Sequence, residues 1–173
     1  IDLLVNERGV KEIVFMDDNF FIDKKRAKNI FKGLIKRDYD LEWKAADGQV
    51  VALDNKMLEL MKESKCYQLV ISVETASEEQ LKMMNKPIKT YSMAKPIIDK
   101  AKSLGMDVFS PFIMGFPGET WDQIRNIGKF AEELDLDYAT FNIATVLPNT
   151  KLHEIAKRDN LLPEDFDFNT FRN

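Results

Sequence analysis

The sequence has very little cysteine and histidine and no long apolar run. Its 173 residues include one cysteine, Cys66, and one histidine, His153. A single thiol cannot form an internal disulfide, a zinc finger or a cysteine-ligated iron-sulfur cluster, and its isolation predicts a reducing, cytoplasmic environment. No apolar stretch approaches the ~20 residues that a membrane-spanning helix needs, so we expect no membrane segment.

A strong excess of charge of either sign is also missing. The 25 Lys and Arg residues against 29 Asp and Glu residues give a net charge of -4. This balance argues against a broad phosphate-binding face, so we expect no nucleic-acid partner. The 45% hydrophobic content is enough to build a core, and we expect one domain over residues 1–173. Because the chain begins with Ile1 rather than methionine, we interpret it as a piece of a longer protein.

Three common catalytic motifs are absent. The sequence contains no G-x-x-x-x-G-K-[ST], no G-x-G-x-x-G and no H-E-x-x-H. Simple nucleotide hydrolysis and zinc-peptidase chemistry are therefore disfavoured. His153 has no evident serine or cysteine partner, so a nucleophilic triad is not predicted, and the residues themselves point to no catalytic group or metal ligand.

What the sequence does contain is an alternation of apolar runs with helical patterns. The predicted strands are residues 12–16, 41–46, 67–73, 107–114 and 137–144. Strands followed in turn by helices indicate an α/β fold with a parallel sheet. A complete (β/α)8 barrel needs about 250 residues, so we expect a partial (β/α) TIM-like barrel or, as the alternative, a doubly wound sheet.

Two of the predicted helices begin with the same short signature. Ser77 and Gln80 form an S-x-x-Q pattern, and Thr120 and Gln123 form a T-x-x-Q pattern. In a capping box the first side chain accepts from the backbone of the fourth residue, and the fourth side chain reaches back to the first backbone N–H. We expect both pairs to close in this way.

Polar residues follow the first predicted strand. Asp17, Asp18 and Asn19 stand where the backbone leaves the sheet, and only one of the two adjacent aspartates can face into a barrel mouth. They suit a ligand ammonium or hydroxyl, and they equally suit an ordinary turn before a helix.

Further candidates follow the later strands. Glu74 ends an apolar run, where a carboxylate is costly unless it is paired or meets a ligand such as a ribose diol. Ile113 and Gly115 combine an apolar side chain with a backbone that a flat ligand can approach. Glu119 reads either as a site residue or as a helix-start carboxylate, and Asn142 suits the edge of a heterocycle.

Four segments in register carry a resemblance to a known family. They are FMDDNFFID at 15–23, ISVETASEEQLKMMNK at 71–86, FIMGFPGET at 112–120 and LPNTKLHEIA at 147–156. Together they resemble the catalytic domain of radical S-adenosylmethionine (radical SAM) enzymes, above all the subgroup with a cobalamin-binding domain. The resemblance implies a six-stranded partial barrel of which this chain supplies strands two to six.

The resemblance also implies roles for the candidate residues. Asp17, Asp18 and Asn19 match the family's contact to the amino group of S-adenosylmethionine, and Glu74 matches its ribose contact. The adenine motif on the fifth family strand matches Ile113, Gly115 and Glu119, although Pro111 replaces its first glycine. Asn142 is a further cofactor-binding candidate on the last strand.

One family feature is missing. The C-x-x-x-C-x-x-C loop that ligates a 4Fe-4S cluster is absent, and Cys66 matches nothing in it. The resemblance implies that the full-length parent cleaves S-adenosylmethionine reductively at that cluster, and that the resulting 5′-deoxyadenosyl radical acts on a small organic substrate. An electron donor is implied, and cobalamin is left open. We predict that this chain alone is inactive and that its unpaired sheet edge favours self-association.

Two other functions compete with this interpretation. The first is a non-catalytic βα module that binds a small metabolite and has no cluster. The second is an ordinary barrel lyase or aldolase in which Glu74 acts with Lys44, a lysine within the second predicted strand.

Overall fold

A computed structural model describes residues 1–45, 48–86, 90–164 and 166–167. Its strands are β1 (Glu12–Phe15), β2 (Glu42–Ala45), β3 (Cys66–Val70), β4 (Asp107–Met114) and β5 (Tyr138–Ile143). Its α-helices are α1 (Lys24–Arg37), α2 (Asn55–Glu63), α3 (Glu78–Met83), α4 (Thr90–Ser103), α5 (Trp121–Glu133) and α6 (Lys151–Arg158). A π-helix covers Leu3–Glu7 and a 3-10 helix covers Val50–Ala52. Within these ranges every helix is too short or too polar to cross a membrane.

The five strands form one parallel sheet in the order β1-β2-β3-β4-β5. Each crossover therefore steps to the next strand in the same direction. Because such connections are right-handed, the helices collect on one face of the sheet. A doubly wound sheet would reverse its strand order part-way, so that alternative is wrong and the partial (β/α) barrel is confirmed.

The third strand is shorter than predicted. Regular pairing of β3 stops at Val70, and two isolated bridges, Gln49 to Ser72 and Glu74 to Phe112, continue the contact between neighbouring segments. Glu74 has a φ of 72°, a left-handed conformation that an extended ladder cannot accommodate. The second strand covers Glu42–Ala45 of the predicted 41–46, and residue 46 lies outside the described residues.

Alternation along β4 separates a helix-covered face from an inner face. Val108, Ser110 and Phe112 are buried beneath the helices. Ile113 points the opposite way and pairs with Asn142 on β5. The inner face is the one from which strand-end residues can reach a ligand.

An aromatic cluster fixes the first two βα units. The rings of Phe31 and Trp43 stack with centroids 4.9 Å apart, and Phe20 lies 5.9 Å from Phe31. All three side chains are at most 1% exposed, and burial of each contributes about 2–3 kcal/mol. The indole of Trp43 also donates to the carbonyl of Ser64 at 2.8 Å, so its one polar atom is satisfied.

The two predicted capping boxes have different outcomes. At α5 the Thr120 hydroxyl accepts from the Gln123 backbone and the Gln123 side chain accepts from the Thr120 backbone, so this box is confirmed. At α3 only the first half forms, with the Ser77 hydroxyl accepting from the Gln80 backbone. The second half of that prediction is wrong, because the backbone N–H of Ser77 donates instead to the hydroxyl of Thr75 at 3.1 Å.

Candidate functional site

A cavity of about 430 Å³ opens at the carboxyl ends of β3, β4 and β5. This is the edge at which parallel βα folds bind their ligands. Its lining combines one carboxylate, two lysines, two threonines and mainly apolar side chains. The lining residues are Glu74, Met83, Met84, Lys86, Ile113, Phe116, Ala144, Thr145, Thr150, Lys151 and Leu152.

Glu74 is the acidic group of this cavity. The residue is 8% exposed, and its carboxylate pairs with the ammonium of Lys86 at 2.8 Å. Its carbonyl accepts from the backbone N–H of Ile113 at 2.8 Å, which ties the end of β3 to β4. The left-handed backbone of a non-glycine residue at this point costs about 1–2 kcal/mol. The neighbours of Glu74 must therefore hold this strand end in place, and strain of this kind is common at functional sites.

The turn after β4 adjoins Glu74 and contributes Phe116 to the cavity lining. Gly115 has a φ of 83° and Gly118 a φ of 82°, conformations that favour glycine. The carboxylate of Glu119 accepts from the backbone N–H groups of Gly115, at 2.5 Å, and Phe116, at 3.1 Å. Glu119 therefore holds the turn together. The carboxylate oxygen that makes these two bonds is used by the turn and does not face a ligand in the cavity.

Ile113 and Phe116 supply part of the apolar lining. Phe116 is 8% exposed, and both side chains line the cavity. Apolar walls with a few polar groups are typical of sites for small molecules and cofactors. Met83 and Met84 add further apolar side chains to the lining.

Asp17, Asp18 and Asn19 lie apart from this cavity, beyond the end of β1. Asp17 is exposed and pairs at 3.7 Å with Arg26, and Asp18 is exposed as well. The side-chain oxygen of Asn19 is buried and has no hydrogen-bond partner among the described residues. Of the three, Asn19 thus presents the unsatisfied acceptor that a ligand donor would complete.

Asn142 faces the same way as Ile113 but does not line the cavity. Its side-chain amide donates weakly to the carbonyl of Phe112 at 3.5 Å. The structure therefore brings Glu74 and Ile113 together, puts Gly115 and Glu119 in the adjoining turn, and places Asn142 beside them on β5.

Lys44 does not share the site of Glu74. It pairs in the sheet with Gln68, and its ammonium lies 3.3 Å from the Gln68 side-chain oxygen and 5.6 Å from the ring centre of Tyr67. Gln68 precedes Glu74 by six residues of β3 and its continuation, which is about 20 Å of extended chain. The aldolase interpretation, which needs the two side chains together, has no support in this register.

Sequence reasoning missed two residues around this cavity. Lys86 pairs with Glu74, and Gln80 donates to Glu119 from outside the cavity. Lys86 belongs to no periodic pattern, Gln80 is singled out only by a helix-capping pattern, and their partners are 12 and 39 residues away along the chain. The S-x-x-Q pattern predicts a bond from the backbone of Ser77 to the Gln80 side chain, and so it gives no indication of the bond from Gln80 to Glu119.

The described residues do not fit an iron-sulfur cluster. They contain no group of three His, Cys, Asp or Glu side chains that could hold a metal ion. Cys66 is 1% exposed in the core, and burial raises the pKa of its thiol to about 12. A buried, protonated thiol on β3 is unsuited to ligating iron at the open edge of the sheet.

Comparison with known proteins decides the family. Residues 1–131 match the Radical SAM superfamily. The chain belongs to this superfamily. It is 38% identical over 162 residues to an uncharacterized methyltransferase of Pyrococcus horikoshii, an alignment that covers 94% of this chain and 35% of the relative.

A second curated relative adds a named substrate for that protein. Cytidylyl-2-hydroxyethylphosphonate methyltransferase of Streptomyces wedmorensis is 29% identical over 156 residues, covering 86% of this chain and 29% of the relative. The radical SAM chain thus spans about a third of the length of the curated relatives it matches.

A solved structure shares the fold. The radical S-adenosylmethionine methyltransferase TsrM of Kitasatospora setae, solved with cobalamin and a [4Fe-4S] cluster bound, superposes with a TM-score of 0.78. The match has 19% identity and covers 89% of this chain and 32% of that one. At this identity the likeness establishes the partial barrel.

Proposed function

We propose that this radical SAM chain binds the adenosyl half of S-adenosylmethionine in the cavity between Glu74 and Phe116. The observation that carries the proposal is the ion pair between the buried Glu74 and the partly exposed Lys86, in a cavity that is otherwise lined mainly by apolar side chains. An acceptor for hydroxyls, a cation and an apolar face beside a glycine turn are the three chemistries that a nucleoside with an amino-acid tail requires.

Each group then has a distinct part in binding. The Glu74 carboxylate accepts from the ribose hydroxyls, and Lys86, released in part from Glu74, offers its ammonium to the carboxylate of the methionine tail. Ile113 and Phe116 cover the adenine face. Asp17, Asp18 and Asn19 lie apart from the cavity and stay predicted contacts for the amino group, and the unsatisfied oxygen supports Asn19 alone among them. Gly115, Glu119 and Asn142 support the adenine side.

A four-iron cluster would supply the electron for cleavage of the ligand, and we propose that residues outside these 173 hold it. The single, buried thiol of Cys66 supports this proposal. We predict that the chain alone does not catalyse the family reaction. Anaerobic reconstitution with iron and sulfide should yield no stoichiometric charge-transfer absorption, and the appearance of that absorption would contradict the prediction.

For the whole protein we propose methyl transfer to a small organic substrate. The methyltransferase names of the two relatives described above support this reaction. Cobalamin as a methyl carrier belongs to the same proposal, by analogy with TsrM, which was solved with cobalamin bound. An external electron donor, which reductive cleavage requires, is proposed with it. One domain over residues 1–173 and a cytoplasmic location complete it.

Calorimetric titration with S-adenosylhomocysteine and with adenosine tests the adenosyl site. The variant Glu74→Gln should bind both ligands about tenfold more weakly, because a charge-assisted bond to the ribose is lost. Lys86→Met should weaken S-adenosylhomocysteine about tenfold and leave adenosine unchanged, because adenosine carries no carboxylate. Lys82→Met, an exposed lysine of α3, is the matched control. Absence of binding by the unmodified chain, or equal effects of the two lysine variants, would overturn the proposal.

Self-association is a separate proposal that rests on the sheet edges. Among the described strands β1 pairs only with β2, and Val14 and Met16 at this edge are 40% and 77% exposed. Unpaired edges with exposed apolar side chains invite pairing between copies. Light scattering should detect dimers or larger species, and a clean monomer at high concentration would refute this.

A further inference from the structure

A line of hydrogen bonds runs behind the cavity wall from β3 to the turn after β4. The Thr75 hydroxyl donates to the side-chain oxygen of Gln80, and the Gln80 amide nitrogen donates to Glu119 Oε1 at 2.5 Å. The second oxygen of Glu119 accepts from the backbone N–H groups of Gly115 and Phe116. We call Thr75, Gln80 and Glu119 the relay.

The hydrogen bonds of the relay can run from donor to acceptor in only one direction. A carboxylate only accepts, so the amide nitrogen of Gln80 must face Glu119 and its oxygen must face the Thr75 hydroxyl. Thr75 is fully buried and Gln80 is 6% exposed. Buried polar groups that are fully paired hold a unique geometry, whereas the loss of one partner leaves the others unsatisfied.

The relay joins the two halves of the adenosyl site without lining it. Thr75 directly follows Glu74, the proposed ribose acceptor, and Glu119 binds the backbone of Gly115 and Phe116 on the adenine side. The side chains of all three relay residues are absent from the cavity lining. Thr75, Gln80 and Glu119 instead border a separate cavity of about 170 Å³.

We propose that Gln80 is a positioning residue that sets the spacing between Glu74 and the Gly115–Phe116 turn, and so the affinity for an adenosyl ligand. This inference rests on the proposed function. Gln80 acts through Thr75 and Glu119 and touches no ligand itself. Its side chain is free for this role because Thr75, rather than Gln80, accepts from the backbone of Ser77.

Gln80→Leu and Gln123→Leu form a matched pair of variants. Both remove a glutamine at the same position of a capping motif, but Gln123 bonds only within its own helix start. In Gln80→Leu, amide hydrogen exchange at Gly115 and Phe116 should quicken about tenfold and affinity for S-adenosylhomocysteine should fall about tenfold. In Gln123→Leu both should stay within about twofold.

Exchanging the glutamine and glutamate side chains between positions 80 and 119 tests whether affinity can be rescued. A side chain that acted only by packing would not be rescued in this way. Gln80→Glu places two carboxylates against each other and should weaken S-adenosylhomocysteine more than Gln80→Leu does. In the double variant Gln80→Glu, Glu119→Gln, the new glutamine accepts from the turn and donates to the new glutamate, which also accepts from Thr75. Hydrogen-bond polarity is thereby restored, and affinity should return to within about threefold of the unmodified chain.

The two readouts separate failure of this inference from failure of the proposed function. If the unmodified chain binds no adenosyl ligand, the proposed function falls, and the exchange rates at Gly115 and Phe116 still decide whether Gln80 holds the turn. If Gln80→Leu leaves both exchange and affinity at the unmodified values, or if the double variant stays as weak as Gln80→Glu, the positioning role is wrong. Melting temperatures confirm that every variant is folded when it is measured.

Discussion

The beginnings of α3 and α5 carry the same four-residue signature and form different structures. At α5 the Gln123 side chain accepts from its own Thr120 backbone at 2.7 Å, and the motif closes on itself. At α3 the Gln80 side chain turns away, is buried, and bonds to Glu119 on another βα unit. At α3 a tertiary contact therefore outweighs helix capping, because a distant residue takes the side chain that would complete the motif. This helix start adjoins the candidate site.

The largest effect on this comparison should come from Glu119→Ala, because Glu119 receives bonds from both sides. The variant leaves the N–H groups of Gly115 and Phe116 and the Gln80 amide without their acceptor. We expect a loss of about 3 kcal/mol in the free energy of unfolding, measured in urea, together with loss of detectable adenosyl binding. A stable variant that binds normally would show that the turn is held by something other than this carboxylate.

A smaller effect should separate backbone strain from chemistry at Glu74. Glu74→Gly and Glu74→Ala both remove the carboxylate and its bond to Lys86, so both should bind adenosine about tenfold more weakly. Only glycine adopts a φ of 72° without strain, so the glycine variant should be about 1 kcal/mol more stable than the alanine variant. Equal stabilities in urea would mean that the left-handed backbone at this strand end is not strained.

The repeating strands and helices could be predicted from the sequence, whereas the contacts between distant segments could not. Apolar runs alternating with amphipathic helices were enough for a parallel sheet, and the polar residue Glu74 after a buried strand was enough for a candidate site residue. The strand order that excluded a doubly wound sheet and the pairing of Lys86 with Glu74 depend on contacts between distant segments. A regular pattern cannot predict the direction in which Gln80 turns, because helix capping and the bond to Glu119 compete for one side chain.

The hydroxyl caps should have still smaller effects, and the same effects at both helix starts. Ser77→Ala and Thr120→Ala each remove one side-chain bond to a backbone N–H, which typically lowers the free energy of unfolding by about 1 kcal/mol. Neither change alters the acceptor of Gln80, so adenosyl affinity should stay within about twofold for both. If Ser77→Ala weakens binding as strongly as Gln80→Leu, then the cap, and not the relay, positions the turn.

The smallest expected effect concerns Cys66. The reactivity of its buried thiol can be measured in every variant described above. Burial raises the pKa of this thiol to about 12, whereas an unfolded chain ionises near ~8.5, so the unfolded state binds fewer protons between these values. The contribution of Cys66 to stability is complete below about pH 8.5 and declines by about 0.8 kcal/mol at pH 9, a decline that Cys66→Ala should lack.

Native Cys66 should react with thiol reagents only through unfolding. Gln80→Leu and Gln123→Leu should therefore label at rates that follow their measured stabilities. Faster labelling of Gln80→Leu than its stability allows would mean that breaking the relay opens the core itself, and the weaker binding would then report loosened packing instead of a displaced turn.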